Sequence, residues 1–163
     1  MRIEIVRAEA EDTQAIAEIL AEAATWLEEK GMPLWTRDRI AAEKIQPDVK
    51  AGMFWLARAN GEIAGCVRFQ ETDEEYWGDV PHEDSAFIHR LAIKRKFAGA
   101  GVSTALIEWA AGKAREMGKT FLRLDCGNRP SLRAVYEQRG FKFHSIKQKE
   151  PYPVARYELS LQK

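Results

Sequence analysis

Three parts of the chain set chemically capable side chains at informative spacings. Lys94-Arg95-Lys96 leads into Gly99-Ala100-Gly101, and a helical pattern begins at Val102. Glycines let successive backbone N–H groups converge on one point, and a helix start adds its four unpaired N–H groups and the positive end of its dipole. Such a loop suits a phosphate or pyrophosphate. Each contact is worth only about 0.3–2 kcal/mol, so several must combine. Tyr136 shares a helix face with Leu132 and Val135, so its ring is expected to point inward, where a phenol needs a partner. Phenols ionise at about pH 10, so Tyr136 is either a proton donor or a core tyrosine bonded to a carbonyl. His89 shares strand parity with Phe87, Leu91 and Ile93. It is either a proton acceptor, directly or through water, or a hydrogen-bonded structural group. Glu83 and Asp84 are second candidates for a base, and water is a third. His82, His89 and His144 show no metal-ligand spacing, so no metal is expected. Cys66 and Cys126 lie in apolar strand-like runs and read as reduced, packed thiols.

The elements that must position these residues follow from periodicity. Ile3 to Arg7 alternates as a short strand, and Glu11–Leu27 is helical through Ile16, Ile19, Leu20, Ala23, Ala24 and Leu27, with Asp12 or Thr13 as its cap. A second helix is expected over Arg37–Ile45, capped by Thr36 and interrupted at Pro47. Phe54–Ala59 and Ile63–Phe69 read as strands joined by Asn60-Gly61, a strong hairpin signal. Strand Ala86–Ile93, helix Val102–Met117, strand Phe121–Asp125, helix Leu132–Arg139 with Pro130 in its first turn, and strands Lys142–Lys149 and Val154–Leu161 complete the order. There is no repeat, low-complexity tract or linker. One domain over residues 1–163 is expected, an α/β fold with a mixed sheet of about seven strands and helices on both faces.

Charge excludes some partners. Lys+Arg and Asp+Glu are both 25, so no general nucleic-acid binding is expected. No apolar run is long enough to span a bilayer and the N-terminus lacks signal-peptide character, which points to the cytoplasm. The neutral total hides a split. Residues 1–84 hold 9 basic and 19 acidic side chains, and residues 85–163 hold 16 and 6. Glu71 to Asp84 alone carries seven acids without a Lys or Arg, a stretch expected to draw in a cation or else to be plain solvated surface. Trp26, Met32, Trp35 and Tyr76-Trp77 fall at helix ends and loops, where they line a pocket or simply pack.

Two phosphate-binding patterns compete at the loop. Gly99-x-Gly101-x-x-Thr104 with Asp125 partly matches a dinucleotide site, but the third glycine is absent and too few crossovers follow. The alternative is the pantetheine-pyrophosphate arm of coenzyme A. LAIKRKFAGAGVSTALIEWA resembles the acetyl-CoA-binding motif of the GNAT superfamily of N-acetyltransferases. CGNRPSLRAVYEQRGFKF resembles that family's next motif, and the element order is similar throughout the chain. Lys96 stands where Gln or Arg is usual, Ala98 replaces a common Arg and Ser103 a common glycine.

The resemblance implies acetyl-CoA as co-substrate and an amine acceptor, with direct transfer in a ternary complex. It implies that Leu91, Ala92 and Ile93 offer backbone groups to the pantetheine arm and acetyl carbonyl. Lys96, Phe97, Ala98, Gly99, Ala100, Gly101, Val102 and Ser103 would cradle the pyrophosphate, while Asn128 and Leu132 would line the thioester end. Tyr136 would be the general acid for the departing thiolate; His89 stays a candidate base from its place on the strand, beside Glu83, Asp84 and water. Trp26, Trp35 and Glu83 are expected to frame a small amine. A homodimer is in keeping with the family. The rival is an acyl-CoA-binding regulatory module that turns nothing over.

Overall fold

The structure, a computed structural model, describes residues 1–162. In chain order its elements are β1 (Ile3–Arg7), α1 (Thr13–Glu29), α2 (Ala42–Lys50), β2 (Phe54–Ala59), β3 (Glu62–Gln70), α3 (Glu74–Trp77), β4 (Ser85–Ile93), α4 (Val102–Glu116), β5 (Phe121–Gly127), α5 (Pro130–Glu137), β6 (Lys142–Lys147) and β7 (Val154–Ser160). Short 3-10 turns occupy Ala10–Asp12, Arg37–Ile40 and Arg95–Phe97. The strands form one mixed seven-stranded sheet in the order β1-β2-β3-β4-β5-β7-β6. The β4–β5 pair is parallel, whereas β1–β2, β2–β3, β5–β7 and β6–β7 are antiparallel. The α/β architecture read from periodicity is therefore the one found. The chain divides into two compact units, Met1–Phe69 with Arg90–Trp109, and Gln70–His89 with Ala110–Lys163.

In the first unit, α1 buries Ile16, Ile19, Leu20 and Ala24, with Phe54 and Leu56 of β2 in the same cluster. Fully burying a side chain of this size stabilises by roughly 1.5–3 kcal/mol. The expected cap on α1 is replaced by a 3-10 entry. Asp12 Oδ2 accepts from the Glu9 N–H at 2.8 Å, and Thr13 Oγ1 donates to the Ala10 carbonyl at 2.8 Å. The second helix also differs from its expectation. Arg37–Ile40 is a 3-10 turn, and α2 runs through Pro47 rather than stopping before it. Ile45 and Val49, four apart and 3% exposed, anchor both sides of that proline. Their burial outweighs the one donor that proline lacks. Asn60 and Gly61 have φ of 53° and 85°, the two-residue turn expected between β2 and β3.

In the second unit, the acidic stretch contains a helix that periodicity did not reveal. Asp73 Oδ1 accepts from the Tyr76 N–H at 3.0 Å and caps α3. Trp77 on this helix is a core residue, not a pocket wall: it is 0% exposed, with the guanidinium carbons of Arg123 and Arg156 at 4.8 and 5.0 Å from its ring. Arg156, 4% exposed, also donates to Asp79 Oδ1 at 2.7 Å and to the Tyr76 carbonyl at 2.9 Å. Glu74 lies 3.2 Å from His82, and Glu75 lies 3.4 Å from Lys149. Two of the seven acids, Glu75 and Asp79, are thus paired with a Lys or Arg side chain.

Candidate active site

The glycine loop belongs to the first unit. Gly99 and Gly101 have φ of 78° and 86°, a region that other residues enter at a cost, and a β-carbon on either would meet nothing within 4 Å. The glycines are there for backbone conformation, not for lack of room. Three of the expected amide donors are already committed: the Phe97 N–H donates to the Lys94 carbonyl at 2.9 Å, the Ala98 N–H to the Arg95 carbonyl at 3.0 Å, and the Ala100 N–H to the Phe97 carbonyl at 3.1 Å. Among the described residues, the N–H groups of Gly99, Gly101 and Val102 have no backbone acceptor. The first turn of α4 contains no acidic side chain to repel an anion. Lys96 lies 2.6 Å from Glu62 and holds that carboxyl below its usual range, chiefly through a hydrogen bond, so its charge is shared.

The strand that leads into this loop carries a feature invisible to alternation. Arg90 has φ of 54°, which breaks the two-residue parity assumed for His89, Leu91 and Ile93. Cys66 Sγ donates to the Arg90 carbonyl at 3.5 Å. A β-carbon on Gly65 would lie 2.8 Å from the Ala92 carbonyl oxygen and 2.8 Å from Ile93 Cδ1, so β3 approaches this part of β4 as closely as backbone allows. Gly65, Cys66 and Arg90 therefore shape the strand; from sequence Cys66 read only as a packed thiol, and Gly65 and Arg90 were not singled out. The signal for Gly65 was a glycine inside a strand pattern. Trp26 and Trp35 also belong to this unit, with the Arg95 guanidinium 4.1 Å from the Trp26 ring and that of Arg90 5.5 Å from Trp35. Arg95 is held in turn by its N–H, which donates to Glu22 Oε1 at 2.6 Å.

The second unit contains His89, Tyr136, Asn128, Leu132 and Glu83. His89 Nε2 lies 2.6 Å from Asp73 Oδ2, and Nδ1 lies 3.6 Å from Asp125 Oδ2. The three side chains are 8%, 2% and 10% exposed. Their candidate ligand atoms lie within 4.8 Å of one another. The hydrogen bond to Asp73 uses one edge of the ring, leaving Nδ1 and Asp125 for a cation, two short of a tetrahedral set. The Tyr76 ring lies 5.4 Å from that of His89. Neither carboxylate was singled out as a partner of His89. Asp73 was one of seven acids between Glu71 and Asp84, and Asp125 read as the strand-end acid of a dinucleotide-like pattern, so pairing across 16 and 36 positions needed the fold.

Tyr136 sits on α5, which β7 fixes in place. Arg133 Nε donates to Tyr157 Oη at 2.8 Å, and Tyr157 Oη donates to Glu137 Oε2 at 2.6 Å. The inward face expected for α5 is narrower than its spacing implied, because Val135 is 37% exposed and the helix contains no fully buried residue. Tyr136 is partly buried, with its ring 5.9 Å from Phe141. Its hydroxyl has no hydrogen-bond partner among the described residues. Burial, then the neighbouring Cys126 and Asp125, pushes its ionisation upward and keeps the phenol protonated. Burial likewise pushes the Cys66 and Cys126 thiols up to about 12, which makes both poor nucleophiles. Asn128 Oδ1 accepts from Arg133 Nη1 at 3.1 Å. Glu83 is exposed, and its carbonyl accepts from Lys119 Nζ at 3.2 Å.

Comparison with known proteins assigns this mixed seven-stranded sheet, with its glycine loop between β4 and α4, to a class of transferases. The acetyltransferase (GNAT) family model matches residues 13–141, and the chain belongs to that family. It is an acetyltransferase. It is 31% identical over 140 residues to the uncharacterized N-acetyltransferase YesJ of Bacillus subtilis (strain 168), covering 82% of this chain and 78% of that one. Its structure resembles a GNAT-family acetyltransferase from Listeria monocytogenes, with a TM-score of 0.76 and 25% identity over 96% of this chain and 95% of the other. It shares its fold with the PaiA N-acetyltransferase of Thermoplasma acidophilum, solved in complex with coenzyme A, at a TM-score of 0.75 and 18% identity over 96% and 98% of the two chains. Among the described residues no helix is long and apolar enough to cross a membrane.

Proposed function

We propose that the protein transfers an acetyl group from acetyl-CoA to the nitrogen of a small primary amine, directly within a ternary complex. The observation that carries this reading is the loop itself. Positive φ at Gly99 and Gly101 is followed by a helix start where the Val102 N–H has no backbone acceptor among the described residues and the first turn contains no acid. These donors suit a pyrophosphate. Lys96 would join them by exchanging Glu62 for phosphate, and Phe97 through Ser103 would form the rest of the cradle. Leu91, Ala92 and Ile93 would present strand backbone to the carrier's amides, and a β4 N–H would polarise the acetyl carbonyl. Asn128 and Leu132 would line the thioester end.

His89 would take one proton from the acceptor ammonium, leaving a neutral amine to attack the carbonyl carbon. Tyr136 would donate its proton to the departing sulfur as the carbon–sulfur bond breaks, and recover one from the acylated nitrogen. One proton is released overall. Trp26 and Trp35 would offer ring faces to the acceptor, and Glu83 an exposed carboxylate. The test is thiol release from acetyl-CoA across a panel of polyamines, amino acids, aminoglycosides and peptide N-termini, with calorimetry of coenzyme A binding. Turnover with one amine class supports the proposal. Absence of binding heat removes the cradle, and binding without thiol release from any amine leaves an acyl-CoA-binding module.

A further inference from the structure

The second unit encloses one imidazole between two carboxylates, and the two oxygens of Asp73 have separate tasks. Asp73 is 3% exposed. Its Oδ1 accepts from the Tyr76 N–H at 3.0 Å as the cap of α3, while its Oδ2 faces His89 Nε2 at 2.6 Å. The cap fixes the rotation of the carboxylate, so Oδ2 is held against the ring. An ionised carboxylate has lone pairs and no proton to give, so the hydrogen in this bond belongs to Nε2. In a neutral ring the lone pair is then on Nδ1, on the opposite edge, 3.6 Å from Asp125 Oδ2.

We infer that Asp73 is the positioning residue that selects the tautomer of His89, making Nδ1 the atom that takes the acceptor's proton. This rests on the reading of His89 as the base. With the ring neutral, two electron-rich atoms, Nδ1 and Asp125 Oδ2, face each other. A proton arriving at Nδ1 gives the imidazolium a carboxylate on each edge. In the step itself an ammonium N–H bond breaks and an Nδ1–H bond forms. The amine keeps the electron pair, and the proton later passes to solvent.

Asp73→Asn tests the assignment without removing the cap, because asparagine caps helices as well as aspartate does. The cap keeps the amide oxygen on the Tyr76 N–H, which turns the amide NH2 toward Nε2. The NH2 then donates to Nε2 and forces the ring proton onto Nδ1. Nitrogen NMR of histidine-labelled protein, at a pH where the ring is neutral, reads the tautomer, with His89→Gln assigning the signal. The expected result is Nε2–H in the parent and Nδ1–H in Asp73→Asn, with kcat lowered about 10²–10⁴-fold and KM for acetyl-CoA unchanged. An Nδ1–H signal in the parent overturns the inference even if the variant does not fold. So does an unchanged tautomer in Asp73→Asn while His89→Gln is inactive. Full kcat in His89→Gln instead removes His89 as the base, and the role assigned here to Asp73 goes with it.

Discussion

A β-carbon placed on Gly65 would stand 2.8 Å from the carbonyl oxygen of Ala92, closer than two such atoms pack. Both partners are backbone, so neither can swing aside. Gly65→Ala should therefore push β3 from β4 near Ala92 and Ile93 and cost about 1–3 kcal/mol of stability. Because that part of β4 is proposed to bind the pantetheine arm, KM for acetyl-CoA should rise together with the fall in Tm. Thermal unfolding and steady-state kinetics on the same preparation check this. A variant with parental Tm and KM would show that the strands tolerate a side chain here.

Tyr136 offers a separable test of chemistry. Phenylalanine preserves the ring packing on Phe141 and deletes only a hydroxyl without a hydrogen-bond partner among the described residues. Tyr136→Phe should lower kcat about 10²–10⁴-fold while coenzyme A affinity stays within about twofold. Since burial raises the ionisation of this phenol, the acid form persists through neutral and mildly alkaline pH, so no alkaline fall in kcat should arise from Tyr136 below about pH 10. Unchanged kcat would assign the proton to water.

The two thiols make an alkaline prediction for stability. Each is raised from 9.0 to about 12 by burial, so between these values the folded state holds protons that the unfolded chain has lost. Stability is then fully present below about pH 8 and falls as pH rises through this window. Urea unfolding at a series of alkaline pH values should show that decline, and Cys66→Ala should make it shallower. The native protein should also resist a thiol reagent at about pH 8 until unfolded, because the reactive species is the thiolate.

Asp79 governs the anchoring of the acidic stretch. Arg156 holds its carboxyl down at about 2, against 3.8 for the free group, chiefly through a hydrogen bond. A lowered carboxylate stabilises above its unfolded value, and the contribution is lost as pH falls through the folded one. Asp79 is 46% exposed, so solvent screens much of the pair. Arg156, however, is 4% exposed and would lose its carboxylate partner. Asp79→Asn should cost about 1–2 kcal/mol and speed amide exchange in residues 73–79, measured by hydrogen exchange.

The strands, the main helices and the glycine loop were legible because each rests on local information. Periods of two and 3.6 mark buried faces, and Asn60-Gly61 and Gly99-Ala100-Gly101 permit only certain backbones. Helix α3 was not legible, since its four residues are too few for a period, and its cap was hidden in a run of acids. Pro47 misled for the opposite reason: a strong local breaker was overruled by the burial of Ile45 and Val49.

By itself the sequence determined the order of elements, the backbone freedom of the glycine loop and the family resemblance, all properties of neighbouring residues. The tertiary structure alone decided which acid meets which base. Asp73 and Asp125 come to His89 from 16 and 36 positions away, and Arg156 reaches back 77 residues to Asp79. Each of these contacts depends on separate elements packing together, and hydrophobic patterning records which face an element buries but not the element that covers it.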